Sequence, residues 1–298
     1  MHGESMNNNG LPELERWLKT NDMDSRLEYY AKTYEKWRMG IPDDIWPIVE
    51  QMIDQFEYYG HRRVNSGLCA LNGQLKDAIG DNVKYALFTY INDIKGKINS
   101  SNEYWFEYRT INGISSKNCT DNISLFPKDV FECIENIIIV DDCCGTGNSL
   151  KTFIENCKVD FSGKTLYYLV IHAMEESYLL LNQVAEEYGM SIKLISLNSS
   201  PKFFDVPRKK EKELFVQRMK KLGLDKKPLG FDDSEALIAF SNNTPNNTFP
   251  LFHKETEKNC PVFPRKEKSD HPWRELKKQK ENRKKQNYLA VIKEKNDG

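Results

Sequence analysis

The first quarter of the chain is patterned as amphipathic helices. After Pro42 comes the segment DDIWPIVEQMIDQFEYY, in which apolar residues recur three or four positions apart and fall on one helical face. The same spacing predicts an earlier helix in LEYYAKTYEKW and a later one over residues 63–79. Residues 1–12 lack this pattern and are typical of a polar tail. We therefore expect residues 1–81 to form a helical N-terminal section packed on the core.

From residue 84 onward, short apolar and aromatic runs replace the helical spacing, as expected for strands that are covered on both faces. The pattern predicts five strands, over residues 84–91, 103–111, 131–140, 165–172 and 191–197. It predicts helices over residues 149–156, 176–188 and 209–222. Strands that alternate with helices favour a parallel sheet with helices on its faces. The expected fold class is therefore α/β, with this core spanning residues 82–264.

The end of the chain, residues 265–298, is polar and basic. It holds twelve Lys and Arg residues against six Asp and Glu residues. We expect a solvated tail with a charge of about +6. Such a tail could contact nucleic acid or a partner protein, and binding of that kind would weaken steeply with salt.

Composition limits the binding partners, cysteine chemistry and cellular compartment that the sequence predicts. The 298 residues carry a formal net charge of -1, so overall charge does not point to a polyanionic partner. The seven cysteines are odd in number and include no C-x-x-C pair, a pattern that argues against a disulfide framework or a zinc site. There is no signal-peptide pattern and no apolar run of membrane-spanning length. We expect a cytoplasmic protein that does not enter a membrane.

The residues best suited to ligand binding lie in the segment 137–150, which reads IIIVDDCCGTGNSL. Four β-branched residues predict a buried strand, and Asp141 and Asp142 stand where that strand should end. Ligands bind beyond the carboxyl ends of parallel strands, where a helix N-terminus offers unpaired N–H groups to an anion. Glycines let the backbone curl around a phosphate, and Thr146 and Ser149 add hydroxyl donors. The aspartates could hold sugar hydroxyls or Mg²⁺ beside that phosphate.

The spacing of this segment excludes two common phosphate-binding motifs. The pattern G-x-x-x-x-G-K-[ST] is absent, and G-x-G-x-x-G would need a glycine at Leu150. The stretch IIIV-DD-CCG-TGNS instead resembles the 5-phosphoribosyl-1-diphosphate (PRPP) motif of type I phosphoribosyltransferases. That motif consists of four apolar residues, two acidic residues and a loop ending in Thr-Gly-small-Thr. The resemblance implies a type I phosphoribosyltransferase-like sheet and a pentosyltransferase type of enzyme.

The same resemblance assigns expected roles to individual residues. Asp141 and Asp142 would act at the catalytic centre by binding the ribose hydroxyls, and they would meet Mg²⁺ through its complex with PRPP. The 5-phosphate would lie in the turn formed by Gly145, Thr146, Gly147, Asn148 and Ser149. The pyrophosphate would contact a loop over residues 92–101, through Lys95, Gly96, Lys97 and Ser100.

Gly145 departs from the pattern of the purine-salvage members. In those relatives the residue before Thr-Gly is an acid that can serve as general base toward the base ring. Glycine offers no proton acceptor at this position, so the motif does not determine which group accepts the phosphoribosyl group or whether transfer occurs. A non-catalytic sensor that holds a nucleotide in the same pocket is therefore an alternative.

A second resemblance lies nearer the C-terminus. Residues 228–240, 243–250 and 261–265 read PLGFDDSEALIAF, NTPNNTFP and PVFPR, and resemble the signature of a phosphoribosyltransferase-like family of bacterial conflict (antiphage) systems. We call residues 243–250 the hood loop. In it, the side-chain amides of Asn246 and Asn247 could form hydrogen bonds with the edge of a base, and Phe249 could stack on that base.

Three hypotheses follow from the sequence. The first is an enzyme that transfers or cleaves a phosphoribosyl group and works beside other proteins of a defence operon. The second is a nucleotide sensor that uses the same pocket without catalysis. The third is a nucleic-acid- or partner-binding component that acts through the basic tail.

Overall fold

The computed structural model describes residues 11–92, 99–204, 206–265 and 280–282. The chain divides into two compact units, Met1–Pro264 and Arg265–Gly298. Of the predicted tail, Arg265 and residues 280–282 are described, and residues 280–282 are helical. No helix within the described ranges is long and apolar enough to cross a membrane.

The described part of the first unit contains ten α-helices and six strands. The helices are α1 (Pro12–Leu18), α2 (Ser25–Gly40), α3 (Trp46–Gln55), α4 (His61–Ile79), α5 (Ser100–Asn112), α6 (Lys128–Glu132), α7 (Asn148–Asn156), α8 (Ser177–Glu187), α9 (Lys209–Lys221) and α10 (Pro250–His253). The strands are β1 (Glu57–Tyr59), β2 (Leu87–Thr89), β3 (Asn136–Cys144), β4 (Thr165–Met174), β5 (Ser191–Ser200) and β6 (Ile238–Phe240).

Four strands form a parallel sheet in the order β2, β3, β4, β5. The register places Ile137 of β3 beside Leu87 of β2 and Leu166 of β4. Because side chains alternate along a strand, Ile137 and Ile138 pack into different core clusters on the two faces. Side chains of α4 and α5 belong to one cluster, and those of α6, α7 and α8 to the other. The predicted α/β class with helices flanking a parallel sheet is confirmed.

The N-terminal section is helical, but it also contributes the short strand β1. This strand pairs in parallel with β6, with Glu57 beside Ile238. A third core cluster joins the N-terminal helices to residues between 203 and 263, and it is rich in aromatic rings. The ring of Phe263 stacks on Phe56 and Tyr58, at centroid distances of 5.1 and 5.5 Å. Two segments far apart in sequence therefore form one core.

The predicted strand over residues 103–111 is wrong, because this segment belongs to helix α5. Its buried residue Tyr108 lies four positions after Tyr104 and three after Trp105, which places all three on one helical face. The side chain of Asn99 caps the helix by accepting a hydrogen bond from Asn102 N at 3.0 Å. Gly113, with φ of 63°, ends it in the left-handed region. The partial alternation of apolar residues was the misleading signal.

The other four predicted strands are confirmed, with shifted ends. Strand β3 continues through the two aspartates to Cys144, and β5 continues to Ser200. The apolar pattern stops before these ends because polar residues follow Val140 in β3 and Leu197 in β5. Those polar ends bring the candidate site together.

Candidate functional site

A tight turn connects β3 to α7 at the carboxyl edge of the sheet. Gly147 adopts φ of 85°, which favours glycine, and α7 begins at Asn148. Lys151 N donates to Gly147 O at 3.1 Å, so the N–H groups before Lys151 precede the first helical hydrogen bond. Ser149 is exposed and Thr146 half-buried. The turn thus presents N–H and hydroxyl donors of the kind that bind a phosphate.

The two aspartates have different surroundings although they are neighbours in sequence. Asp141 is only 5% exposed, and its Oδ2 accepts a hydrogen bond from the hydroxyl of Tyr168 at 3.0 Å. Its Oδ1 accepts from Asp142 N at 2.9 Å and from Ser100 Oγ at 3.3 Å. Burial, reinforced by the nearby carboxylate of Asp142, raises the pKa of Asp141 well above its usual value. Both of its oxygens are used within the chain.

Asp142 is the more accessible carboxylate. Its side chain is half-buried, and its Oδ1 accepts from Cys143 N at 2.8 Å. The carboxyl groups of the two aspartates interact directly, and that of Asp142 is the more exposed of the pair. A ligand in the turn could reach Asp142 without breaking the hydrogen bonds of Asp141.

The predicted pyrophosphate loop is described only in part. Lys95, Gly96 and Lys97 lie outside the described residues. Ser100 begins α5 and reaches Asp141, and the neighbouring Ser101 donates to Val140 O at 2.6 Å. The structure thus brings the end of this segment to the acidic pair.

Asn247 lies directly against the turn. A Cβ atom added to Gly145 would overlap the side-chain amide of Asn247, with Oδ1 2.8 Å away and Cγ and Nδ2 closer still. Glycine at position 145 therefore makes room for this amide. The predicted base-reading residue thus stands beside the position at which purine-salvage relatives keep an acid, and the spacing of the sequence did not reveal this.

The segment before β6 also approaches the turn. Asn148 donates from Nδ2 to the carboxylate of Asp232 at 2.7 Å. Asp232 has φ of 51°, a strained conformation for a residue other than glycine. Asn246 is exposed, and its carbonyl accepts from Phe231 N at 2.9 Å. Sequence reasoning missed Asp232 because nothing in the local pattern connects it to Asn148.

The predicted stacking role of Phe249 is not compatible with its position. Its side chain is fully buried in the core formed with the N-terminal helices. The rings of Phe203, Phe204 and Phe215 pack around it edge-on, at centroid distances between 5.5 and 6.2 Å. Phe249 anchors the hood loop in the core, and its ring is not available to a ligand.

A second polar cluster lies on the other face of the sheet, around His172. The imidazole is buried, with Nδ1 2.9 Å from the hydroxyl of Tyr59 and Nε2 2.9 Å from Ser200 Oγ. Asn198 donates to the same tyrosine hydroxyl at 3.1 Å. Burial, with a smaller effect of Arg63, lowers the pKa of His172 to about 4, so the imidazole is neutral at pH 7.

His172 and Ser200 line a cleft of about 260 Å³. Its other lining residues come from α3, β1, the end of β5 and the segment before β6: Gln55, Glu57, Asn198, Ser199, Pro201, Phe203, Glu235 and Leu237. The lining includes two carboxylates and no lysine or arginine. An uncharged hydrogen-bonding ligand suits this lining better than a phosphate does. This cleft was not predicted from the sequence; His172 at the predicted end of β4 and the polar residues 198–200 just after the predicted end of β5 were the available signal.

Mg²⁺ prefers oxygen ligands and usually keeps several waters. Within the described ranges there is no group of three or more His, Cys, Asp and Glu side chains that could hold a metal. The carboxylate of Asp142 is an accessible oxygen donor of the right type. It fits a magnesium ion whose remaining ligands come from a bound diphosphate and water.

The sheet, the acidic pair that ends its buried strand and the glycine turn that opens α7 define a phosphoribosyltransferase-like protein. More specifically, the family model PRTase-CE matches residues 14–279, and the chain belongs to this family. No curated protein matches the chain.

Among solved structures, the chain is similar to Helicobacter pylori xanthine-guanine-hypoxanthine phosphoribosyltransferase. The identity is 12% and the TM-score 0.32, over 53% of this chain and 97% of that chain. At this level the likeness supports no transfer of residue roles.

Proposed function

We propose that this protein binds PRPP or a related phosphoribosyl compound at the β3–α7 turn and transfers or cleaves the phosphoribosyl group. The observation that carries the proposal is the half-buried carboxylate of Asp142, which lies three residues before Gly145, the first residue of a turn with N–H groups not used by the helix. Membership of the PRTase-CE family supports the same ligand class.

The turn would hold the 5-phosphate through backbone N–H groups and through the hydroxyls of Thr146 and Ser149. Asp142 would accept hydrogen bonds from the ribose hydroxyls. Asp141 would fix the end of β3 through its hydrogen bonds with Tyr168 and Ser100. Mg²⁺ that arrives with PRPP would neutralise charge on the diphosphate. The protein's contribution is to position the reactants and stabilise charge.

In the proposed reaction the bond between the anomeric carbon and the pyrophosphate oxygen breaks, and its electron pair leaves with pyrophosphate. The acceptor then bonds to the anomeric carbon and gives up its proton. Asn247 beside Gly145 can donate and accept hydrogen bonds, but an amide is not a base. The acceptor's proton would therefore pass to pyrophosphate or water. Acceptors with an acidic N–H or O–H group suit this site best, whereas water would need pyrophosphate to take up its proton.

The cleft next to His172 is where we place the acceptor. It opens at the carboxyl ends of β4 and β5, on the edge where the turn lies. The neutral imidazole and the serine hydroxyl offer hydrogen bonds without adding positive charge. An uncharged ring or hydroxyl compound fits this chemistry.

Isothermal calorimetry with PRPP and Mg²⁺ tests the binding step. We expect the wild type to bind and Asp142→Asn to bind at least tenfold more weakly, because a charged acceptor contributes about 1.5–3 kcal/mol. Asp129→Asn, an exposed change on α6, is the matched control and should bind as the wild type does. Equal affinity in the wild type and Asp142→Asn would refute the proposed role of the carboxylate.

A second candidate is a sensor that holds the ligand without turning it over. The absence of a proton acceptor at Gly145 favours it. Pyrophosphate release from PRPP, measured with a panel of nucleobases and with water, separates the two candidates. Tight binding with no release from any acceptor would support the sensor, and release that Asp142→Asn abolishes would support the enzyme.

We also propose that the protein acts in the cytoplasm as part of a bacterial defence system, beside other proteins of its operon. The resemblance of residues 228–265 to the conflict-system signature supports this context. Phage plating on cells that carry the operon, with the wild type or Asp142→Asn, tests it. Equal plating would argue against a defence role for the pocket. The third hypothesis, binding through the basic tail, remains a prediction from the sequence.

A further inference from the structure

The two edges of the four-stranded sheet are protected to very different degrees. At one edge, β2 has three residues, and its outer side is bonded to the segment around Cys119. Thr120 N donates to Phe88 O at 3.0 Å, and Thr89 Oγ1 donates to Thr120 O at 2.8 Å. At the other edge, β5 has ten residues, and no strand of the described chain pairs with its outer side. A long unpaired edge is a template for another strand.

Burial along β5 shows that only its edge is open. None of its ten residues is buried, whereas nine of the ten residues of the adjacent β4 are. Its four aliphatic side chains are only half-buried although α4 and α8 both pack on the strand. These are Ile192, Leu194, Ile195 and Leu197. The α4 contact is close, since a Cβ on Gly67 would overlap Leu197 Cδ1. The aliphatic side chains of β5 are therefore less covered than those of β4, which has a neighbouring strand on both sides.

Natural edge strands are commonly guarded by charges, proline or bulges. From Ser191 to Ser200 the strand contains one charged residue, Lys193, and no proline. The ammonium of Lys193 lies over the ring of Tyr167 on β4, 5.3 Å from its centroid. The ammonium group is therefore directed back over the sheet, where it does not oppose pairing of another strand with the edge.

The backbone of β5 indicates which residues could pair outward. Ser191 N donates to Lys164 O, which lies on the β4 side. Because backbone groups alternate along a strand, those of Ile192 and Leu194 face away from β4. No strand within residues 11–92, 99–204, 206–265 and 280–282 bonds their N–H and C=O groups, which face outward and can bond a new strand.

We propose that β5 pairs with β5 of a second copy of this chain, antiparallel about a two-fold axis, to give one eight-stranded sheet. A two-fold interface uses the same surface on both subunits, so the strand must be compatible with itself. An axis at Leu194 places Lys193 opposite Ile195 of the copy, and an axis at Ile195 places it opposite Leu197. Neither axis sets like charges face to face, and an axis at Lys193 is excluded because it would.

The chemistry of the edge favours a second copy over a charged partner. One cation in ten residues is too little for recognition by charge, and that cation is already engaged with Tyr167. What the edge offers is aliphatic surface and two outward-facing backbone pairs. Those are satisfied by the same strand running in the opposite direction.

Analytical ultracentrifugation over a concentration series tests the proposal, with the full-length wild type expected to form a dimer. Leu194→Pro removes an outward N–H but no hydrogen bond to β4, and proline is tolerated where an edge N–H faces solvent. We expect this variant to be monomeric, with the circular dichroism spectrum of the wild type. A monomeric wild type, or a dimer that survives in folded Leu194→Pro, would overturn the proposal.

Two further measurements keep the test decisive. Leu179→Lys changes a leucine on α8 that is 71% exposed, and it should leave the dimer intact. Loss of the dimer in this control alone would place the interface on α8 and refute pairing through β5. Hydrogen exchange needs no variant, since the amides of Ile192 and Leu194 should exchange more slowly as protein concentration rises. Exchange at these amides that is independent of concentration would contradict the proposal.

Discussion

Two buried polar clusters lie on opposite faces of the same end of the sheet, and they respond oppositely to burial. On one face Asp141 is bonded to Tyr168, and on the other His172 is bonded to Tyr59 and Ser200. Burial disfavours the charged form of each group. It therefore raises the pKa of the acid and lowers that of the imidazole to about 4.

The two clusters differ in whether a ligand can reach them. Asp141 has both oxygens engaged within the chain and fixes the strand that carries the accessible Asp142. His172 borders an open cleft, so a ligand could contact its partner Ser200. Two adjacent acids in a motif are thus not equivalent, and a histidine outside the motif can be closer to a ligand than one of them.

The largest expected effect is a loss of folding stability at acidic pH that is caused by His172. Its pKa is 6.5 when exposed and about 4 when folded, so the unfolded chain binds the proton first as the pH falls. The stabilising contribution is present above pH 6.5 and is lost as the pH falls through 4. We expect a loss of about 3 kcal/mol from this group, measured by urea unfolding at a series of pH values.

His172→Gln is the control for this prediction, because glutamine retains hydrogen bonding but does not titrate. The difference in unfolding free energy between the wild type and this variant should shrink as the pH falls from 6.5 to 4. A constant difference across that range would show that His172 is not the titrating group.

The next effect separates the neighbouring aspartates. Asp141→Ala leaves the buried hydroxyl of Tyr168 without its acceptor and opens a small cavity, which should cost about 2–3 kcal/mol. Asp142→Ala, in a half-buried position, should cost less than about 1 kcal/mol. Urea unfolding at pH 7 compares them, and equal losses would contradict the different roles of the two residues.

The pH dependence of the stability of Asp141→Asn tests whether the pKa of Asp141 is raised in the folded protein. Because the folded pKa of Asp141 is raised, its stabilising contribution is present below pH 3.8 and is lost as the pH rises through the folded value. The asparagine variant lacks this loss, so its stability relative to the wild type should increase with pH above 3.8. A relative decrease would reverse the sign and contradict the raised pKa.

The smallest expected effect is at Ser200. Ser200→Ala removes the hydrogen bond to His172 Nε2 and should cost about 1 kcal/mol. If the cleft holds the acceptor, the same change should raise the KM for the acceptor with little change in the affinity for PRPP. An unchanged KM in a folded variant would remove Ser200 from the acceptor site.

The sequence predicted what depends on neighbouring residues. The apolar run, the acidic pair and the glycine turn are contiguous, so one strand–turn–helix unit and its place at the sheet edge followed from local pattern. Helix α5 was misassigned because its apolar residues partly alternate, and its cap at Asn99 was not used as a signal.

The remaining features depend on contacts between distant segments. The hydrogen bond from Tyr168 to Asp141 requires the register of β4 against β3, which no local pattern encodes. Phe249 looked like an exposed loop ring until the aromatic core around it was known. The contact between Gly145 and Asn247 joins two segments that no periodicity relates.

That last contact has a consequence for biosynthesis. Asn247 leaves the ribosome roughly a hundred residues after Gly145, and synthesis proceeds at about 5–20 residues per second. For several seconds the nascent chain carries the glycine turn without the amide that covers it. The glycine turn is therefore synthesised and can begin to fold well before the segment that packs against it exists.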